Sequence, residues 1–168
     1  MKNNIVLIGM PACGKSTVGV LIAKILGMDF VDTDIVIQQR EGARLNEIIE
    51  KDGIDEFLKK EEKALVELNV ANTVIATGGS AVYSDDAMKH LAEGADIIYL
   101  KAQLKEIKKR LGDIKARGVV LKPDETIEEM YETRSRLYAK YADITVNEDG
   151  NTMDETVLEV LSKIKEIP

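Results

Sequence analysis

Gly9-Met10-Pro11-Ala12-Cys13-Gly14-Lys15-Ser16 fills every fixed position of a Walker A loop, between an apolar run and a helical pattern. Each residue type has a chemical reason. Glycines allow turns that aim several backbone N–H groups at one phosphate, and the helix opening at Lys15 adds the positive end of its dipole. Lys15 can reach the β- and γ-phosphates, and the Ser16 hydroxyl can ligate Mg²⁺. The stretch from Gly9 to Thr17 is therefore the expected ATP-binding segment, with Cys13 read as a small spacer. A glycine-rich strand-to-helix turn without ligand is the plain alternative.

Two further groups carry chemistry. In Asp32-Thr33-Asp34, one acid can hold Mg²⁺ through water and the other can orient or deprotonate an acceptor hydroxyl. The plain alternative is that Asp34 N-caps a helix over Ile35 to Arg40, although a capping acid can still face a ligand. In Thr77-Gly78-Gly79-Ser80, the glycines would let backbone approach a substrate without Cβ atoms in the way, or would simply make a turn.

The elements that must position these groups follow from hydrophobic period. Strands are expected at Ile5 to Ile8, Phe30-Val31, Val74 to Ala76, Ile97 to Leu100 and Ile144 to Val146. Val18, Leu21, Ile22 and Ile25 mark a helix from Lys15 to Leu26, closed by Gly27. Further helices are expected at Asp34 to Arg40, Leu45 to Lys51, Ile54 to Asn69, Asp85 to Ala92, Leu104 to Leu111, Thr126 to Tyr141 and Asp154 to Ile167. Strands alternating with helices predict an α/β doubly wound sheet that binds ligand at the carboxyl ends of its strands, where all three chemical groups fall. Gly112 to Pro123, holding Lys115, Arg117 and Lys122, stands between two helices as a candidate lid. His90 reads as a surface histidine on a short charged helix.

Composition narrows the function classes. With 168 residues, 45% of them apolar, the expectation is a single domain over 1–168, with no repeat or linker to start a second. A formal charge of −7 argues against nucleic acid as a standing partner. The single cysteine permits no intramolecular disulfide, so a reducing cytoplasm fits. No apolar stretch approaches the ~20 residues that span a bilayer. No membrane partner is expected.

Taken in order, the Walker A loop, Asp32-Thr-Asp34, Ala76-Thr-Gly-Gly79, Arg110 and Arg117 around the lid, and Arg134-Ser-Arg-Leu-Tyr138 followed by Ala142-Asp143 resemble the shikimate kinase family, from Ile5 to about Lys163. The resemblance implies a three-layer P-loop kinase fold like that of nucleoside-monophosphate kinases. Its five-stranded parallel sheet would run in the order 2-3-1-4-5, with helices on both faces, a substrate-binding helical region over about 34–69 and a lid over about 112–123. It also implies ATP and Mg²⁺ as cofactors and a small hydroxy acid as substrate; a monomer is expected, although the sequence does not fix oligomeric state. By position, Lys15, Asp34 and Arg117 become the catalytic residues, Ser16 and Asp32 the metal site, and Arg110 the adenine-stacking guanidinium. Asp34, Gly78, Gly79, Ser80 and Arg134 become the substrate site, Arg134 gripping a carboxylate.

Two positions depart from the family pattern. Leu58 follows Phe57 where the family usually has the second carboxylate-gripping arginine, and Lys59 and Lys60 point elsewhere on the helix. Ser80 replaces the third glycine of the family's Gly-Gly-Gly. The expected reaction is phosphorylation of shikimate at its 3-hydroxyl. The departures leave open another small hydroxy acid, such as homoserine with its ammonium on Asp34. A nucleotide-binding regulatory pseudokinase is a further alternative, disfavoured by intact Lys15, Asp34 and Arg117.

Overall fold

The computed structural model describes residues 2–112 and 117–165. Five parallel strands, β1 (Asn4–Ile8), β2 (Asp29–Asp32), β3 (Thr73–Ala76), β4 (Ala95–Lys101) and β5 (Ile144–Asn147), form one sheet in the order β2-β3-β1-β4-β5. This is the order the family resemblance implied, and helices cover both faces. β1 is central, and Ile5, Val6, Leu7 and Ile8 are all buried, which is why it reads as an unbroken apolar run.

Eight α-helices connect or flank the strands among the described residues: α1 (Lys15–Leu26), α2 (Thr33–Glu41), α3 (Leu45–Asp52), α4 (Ile54–Val66), α5 (Asp85–Gly94), α6 (Leu104–Leu111), α7 (Ile127–Tyr141) and α8 (Met153–Ile164). The helix expected to reach Asn69 stops at Val66, where Leu68 turns its N–H back to the Leu65 carbonyl. The last helix starts one residue early at Met153, because Thr152 and Glu155 form a capping box. A short 3₁₀ turn at Ala81–Tyr83, which periodicity could not mark, joins β3 to α5.

The core has two parts. The larger lies around the sheet; the smaller gathers Ile37, Leu45, Ile48, Phe57 and Ala64 from α2, α3 and α4. Val120 belongs to the smaller cluster, 3% exposed, so the stretch after α6 is pinned by apolar burial beside the helices of 34–69. His90 is half-buried at the surface of α5, away from the Walker A loop, with Nε2 2.8 Å from the Leu68 carbonyl oxygen. No helix among the described residues is long and apolar enough to cross a membrane.

Candidate active site

The carboxyl ends of β1, β2 and β3 open onto one cavity of about 370 Å³, lined from the phosphate loop at one end to Arg134 at the other. Pro11, Ala12, Gly14, Lys15, Ser16 and Thr17 form its first wall. Gly9, Met10 and Cys13 of the same loop lie beneath it, Met10 and Cys13 fully buried, and shape the turn rather than face the cavity. Burial pushes the Cys13 thiol up from its ordinary value, in keeping with a spacer rather than a redox group. Ala12 holds a left-handed φ of 64° at the crest of the loop, a local cost of the kind that gathers at ligand sites.

The loop fits a polyphosphate and a hard cation. Gly14 N-caps α1 with no side chain bonded to the first amides, so those N–H groups face the cavity without a cap. Lys15, 7% exposed, folds its ammonium onto the Gly9 and Met10 carbonyls, each at 2.8 Å. Ser16 donates its hydroxyl to Asp32 Oδ2 at 2.6 Å, which sets two oxygen donors side by side at the loop's edge, as Mg²⁺ prefers.

The roles of the acidic pair separate cleanly. Asp32, not Asp34, caps α2, accepting from the Asp34 amide at 3.0 Å. Asp34 then stands in the first turn with its carboxylate on the cavity wall. Burial, with Asp32 beside it and Lys15 opposing, pushes the Asp34 carboxyl up to about 6.

The glycine pair is held from three sides. Gly78 donates its N–H to the Thr33 hydroxyl at 3.2 Å, and Thr77 donates its hydroxyl to the Leu7 carbonyl at 2.9 Å. Tyr138 on α7 donates to the Gly79 carbonyl at 2.6 Å. A side chain begun at Gly78 would sit 2.7 Å from both Asp34 Oδ1 and Glu61 Oε1, so only glycine fits between the two carboxyls. Ser80, which stands in place of the family's third glycine, lines the cavity and donates its hydroxyl to Glu61 Oε2 at 2.6 Å.

Arg134 is 1% exposed, an unusual depth for a guanidinium, and its partners explain how it is held there. Nε donates to the Tyr83 hydroxyl at 3.2 Å, the guanidinium lies 5.1 Å from the centre of the Tyr83 ring, and Nη2 donates to the Val120 carbonyl. Nη1 approaches Gly79, where a Cβ would lie 3.1 Å away. A guanidinium is therefore anchored at the end of the cavity opposite the phosphate loop.

Arg117 lines the cavity from the stretch after α6, while Lys115 lies outside the described residues. Lys122 points away, its ammonium 5.5 Å from the Tyr83 ring centre. Arg110 is exposed at the end of α6, 3.9 Å from Glu106, and is not among the cavity's lining residues. On α4, Lys60 pairs with Glu41 and Asp52, and Lys59 with Glu56, so neither replaces the charge that Leu58 lacks. No role for Glu61 or Tyr83 follows from the sequence, and Tyr138 is named there only as the end of a motif. Of these only Tyr138 carried a sequence signal, standing four residues after Arg134 on the same helix face.

This fold, a cavity that runs from the Walker A loop to a buried guanidinium, and the relatives below make the chain a P-loop kinase that phosphorylates a hydroxyl group. The family profile described as Shikimate kinase matches residues 11–165. The shikimate kinase of Sulfurihydrogenibium sp. is 34% identical over 163 residues, covering 96% of this chain and 98% of the relative. Among solved structures, shikimate kinase from Acinetobacter baumannii in complex with shikimate superposes with a TM-score of 0.89 at 28% identity, covering 99% of this chain and 94% of that one. Shikimate kinase from Aquifex aeolicus gives 0.82 at 32% identity, covering 96% of each chain. The chain belongs to the shikimate kinase family.

Proposed function

We propose that this protein transfers the γ-phosphoryl group of ATP to the 3-hydroxyl of shikimate. The observation that carries the reading is the spacing of charge along one cavity: Lys15 and the loop amides at one end, Asp34 between, and the anchored Arg134 at the other. A small ring with a carboxylate on Arg134 would bring a hydroxyl to Asp34 and its acceptor oxygen toward the phosphate loop. The A. baumannii relative was solved with shikimate itself, which supports this acceptor. The homoserine and pseudokinase alternatives gain no support from the comparisons.

In this reading Ser16, with Asp32 behind it, would hold Mg²⁺, whose chemistry when bound would be to neutralise phosphate charge. The backbone from Gly9 to Thr17 cradles the phosphates, and Lys15 leaves the Gly9 and Met10 carbonyls to meet the transferring group. Asp34 orients the acceptor hydroxyl and takes up its proton; its raised carboxyl suits a proton acceptor working near neutrality. Arg117 stabilises the transferred group from above, and Gly78, Gly79 and Ser80 hold the ring. Arg110 stacks on the adenine once nucleotide is bound. The stretch over 112–123 acts as the lid of a single domain, its described part already lining the cavity.

An ADP-release assay across shikimate, homoserine and other hydroxylated acids tests the proposal. Shikimate is expected to give the highest kcat/KM; a far higher value for another acceptor overturns it.

A further inference from the structure

Arg134 is a buried cation whose hydrogen-bond partners among the described residues are all neutral. The Tyr83 hydroxyl accepts from Nε at 3.2 Å, the Val120 carbonyl accepts from Nη2, and the centre of the Tyr83 ring lies 5.1 Å from the guanidinium carbon. Glu61, which feels the field of Arg134, bonds to Ser80 instead. A guanidinium at 1% exposure is ordinarily paired with a carboxylate, because removing its water is costly. Here the fold holds the charge and supplies no anion.

The same partners decide which nitrogen is left over. A guanidinium carries five N–H groups in a planar fork, and Nε and Nη2 share one edge of it. Tyr83 and Val120 occupy those two nitrogens. Nη1 has no hydrogen-bond partner among the described residues and stands beside Gly79 on the wall of the large cavity, 3.1 Å from where a glycine Cβ would lie. On α4, Leu58 lines a small cavity of about 140 Å³ together with Ser80 and Tyr83, so no second guanidinium assists from that side.

Tyr83 is itself fixed in place. It closes the 3₁₀ turn Ala81–Tyr83 with its N–H on the Ser80 carbonyl at 3.0 Å, and Ser84 directly after it caps α5, accepting from the Ala87 amide at 3.0 Å. Ala81 and Val82 are each 1% exposed, so the turn cannot swing without opening the core.

We infer that Tyr83 is a positioning residue for the acceptor's carboxylate: it holds Arg134 at Nε with an uncharged oxygen, so that Nη1 meets the carboxylate with the charge of the guanidinium unspent. The inference rests on the acceptor's carboxylate binding at Arg134, as proposed above. A carboxylate in place of the phenol would hold the side chain as firmly but cancel its charge. A phenylalanine would keep the ring and leave the Nε–H buried without an acceptor, so the guanidinium would turn to find one. The phenol orients the group and spares its charge.

The test compares the whole chain as wild type and as Tyr83→Phe, with ATP and Mg²⁺ saturating. The two ligands are shikimate and shikimamide, the same ring with an uncharged amide for its carboxylate, the latter followed as substrate or as competitive inhibitor. Tyr83→Phe should raise the KM for shikimate about three- to tenfold, lower kcat by a smaller factor, and leave the affinity for shikimamide within about twofold of wild type. An unchanged KM for shikimate overturns the inference. So does an equal loss on both ligands, which would make the hydroxyl a support for the shape of the pocket and not for its charge. Should the wild type not phosphorylate shikimate, the acceptor assignment fails, and the inference is read from thermal unfolding with cyclohex-1-enecarboxylate and with its amide. The carboxylate should then raise the Tm of wild type more than that of Tyr83→Phe, and the amide should shift both alike. Equal carboxylate shifts, or none in either protein, overturn it.

Discussion

Gly118 presses directly against Leu45: a Cβ on the glycine would lie 2.6 Å from the leucine Cβ and 2.9 Å from the Asn46 amide. Its φ of +66° is also one that side chains avoid. The backbone next to Arg117 thus reaches the start of α3 only because residue 118 lacks a side chain. Arg117 is set on the cavity by that contact.

Replacing Gly118 by alanine should cost about 2 kcal/mol or more, from the left-handed conformation and the clash together. Either the whole fold pays, with a Tm drop of roughly 4–8 °C, or the stretch lifts from α3 and the KM for shikimate rises. Unchanged Tm and unchanged KM would show that the contact has no energetic weight.

Lys15 and Arg117 should fail differently. Lys15→Ala removes the ammonium from a rigid buried loop and should lower kcat by about two to three orders of magnitude with the circular dichroism spectrum intact. Arg117→Ala, on an exposed residue, should lower kcat more than it raises the KM for ATP, as expected of a contact that strengthens in the transition state. If instead Arg117→Ala raises the ATP KM at constant kcat, it is a binding residue only.

Leu58→Arg places a guanidinium in the small cavity beside Glu61 and Ser80. A charge-assisted bond of ~1.5–3 kcal/mol should lower the KM for shikimate by about tenfold or more. Steady-state kinetics with ATP saturating gives the answer, and an unchanged or raised KM would mean that the acceptor's carboxylate does not extend toward residue 58.

Much of this was legible beforehand because local patterns and tertiary structure agree. The Walker A loop falls between a fully buried strand and a helix capped by Gly27, so its position and its chemistry could be read together. Sheet order could not be read from periodicity, since strands of equal apolarity carry no record of their neighbours; it came from resemblance. Asp34 and its cap illustrate a nearer limit. Two acids one residue apart both suit an N-cap, and only the backbone at Asp32, extended with φ −102°, decides between them. Glu61 was invisible for the opposite reason. It stands in Lys59-Lys60-Glu61-Glu62, a run whose other members meet solvent or surface partners, and its burial depends on a serine 19 positions away. Arg110 reaches no cavity wall: it stands exposed at the end of α6 beside Glu106, one turn back on the same helix, a direction that residue type and order do not reveal.

Val120 holds two posts at once, its side chain plugging the smaller core and its carbonyl taking a hydrogen from Arg134. A ligand that draws the guanidinium toward itself must therefore work against, or with, the seating of a hydrophobic plug three residues from Arg117. Acceptor and nucleotide would then share a free-energy account with a common hinge: whichever arrives first alters the grip available to the second, by an equal factor in each direction.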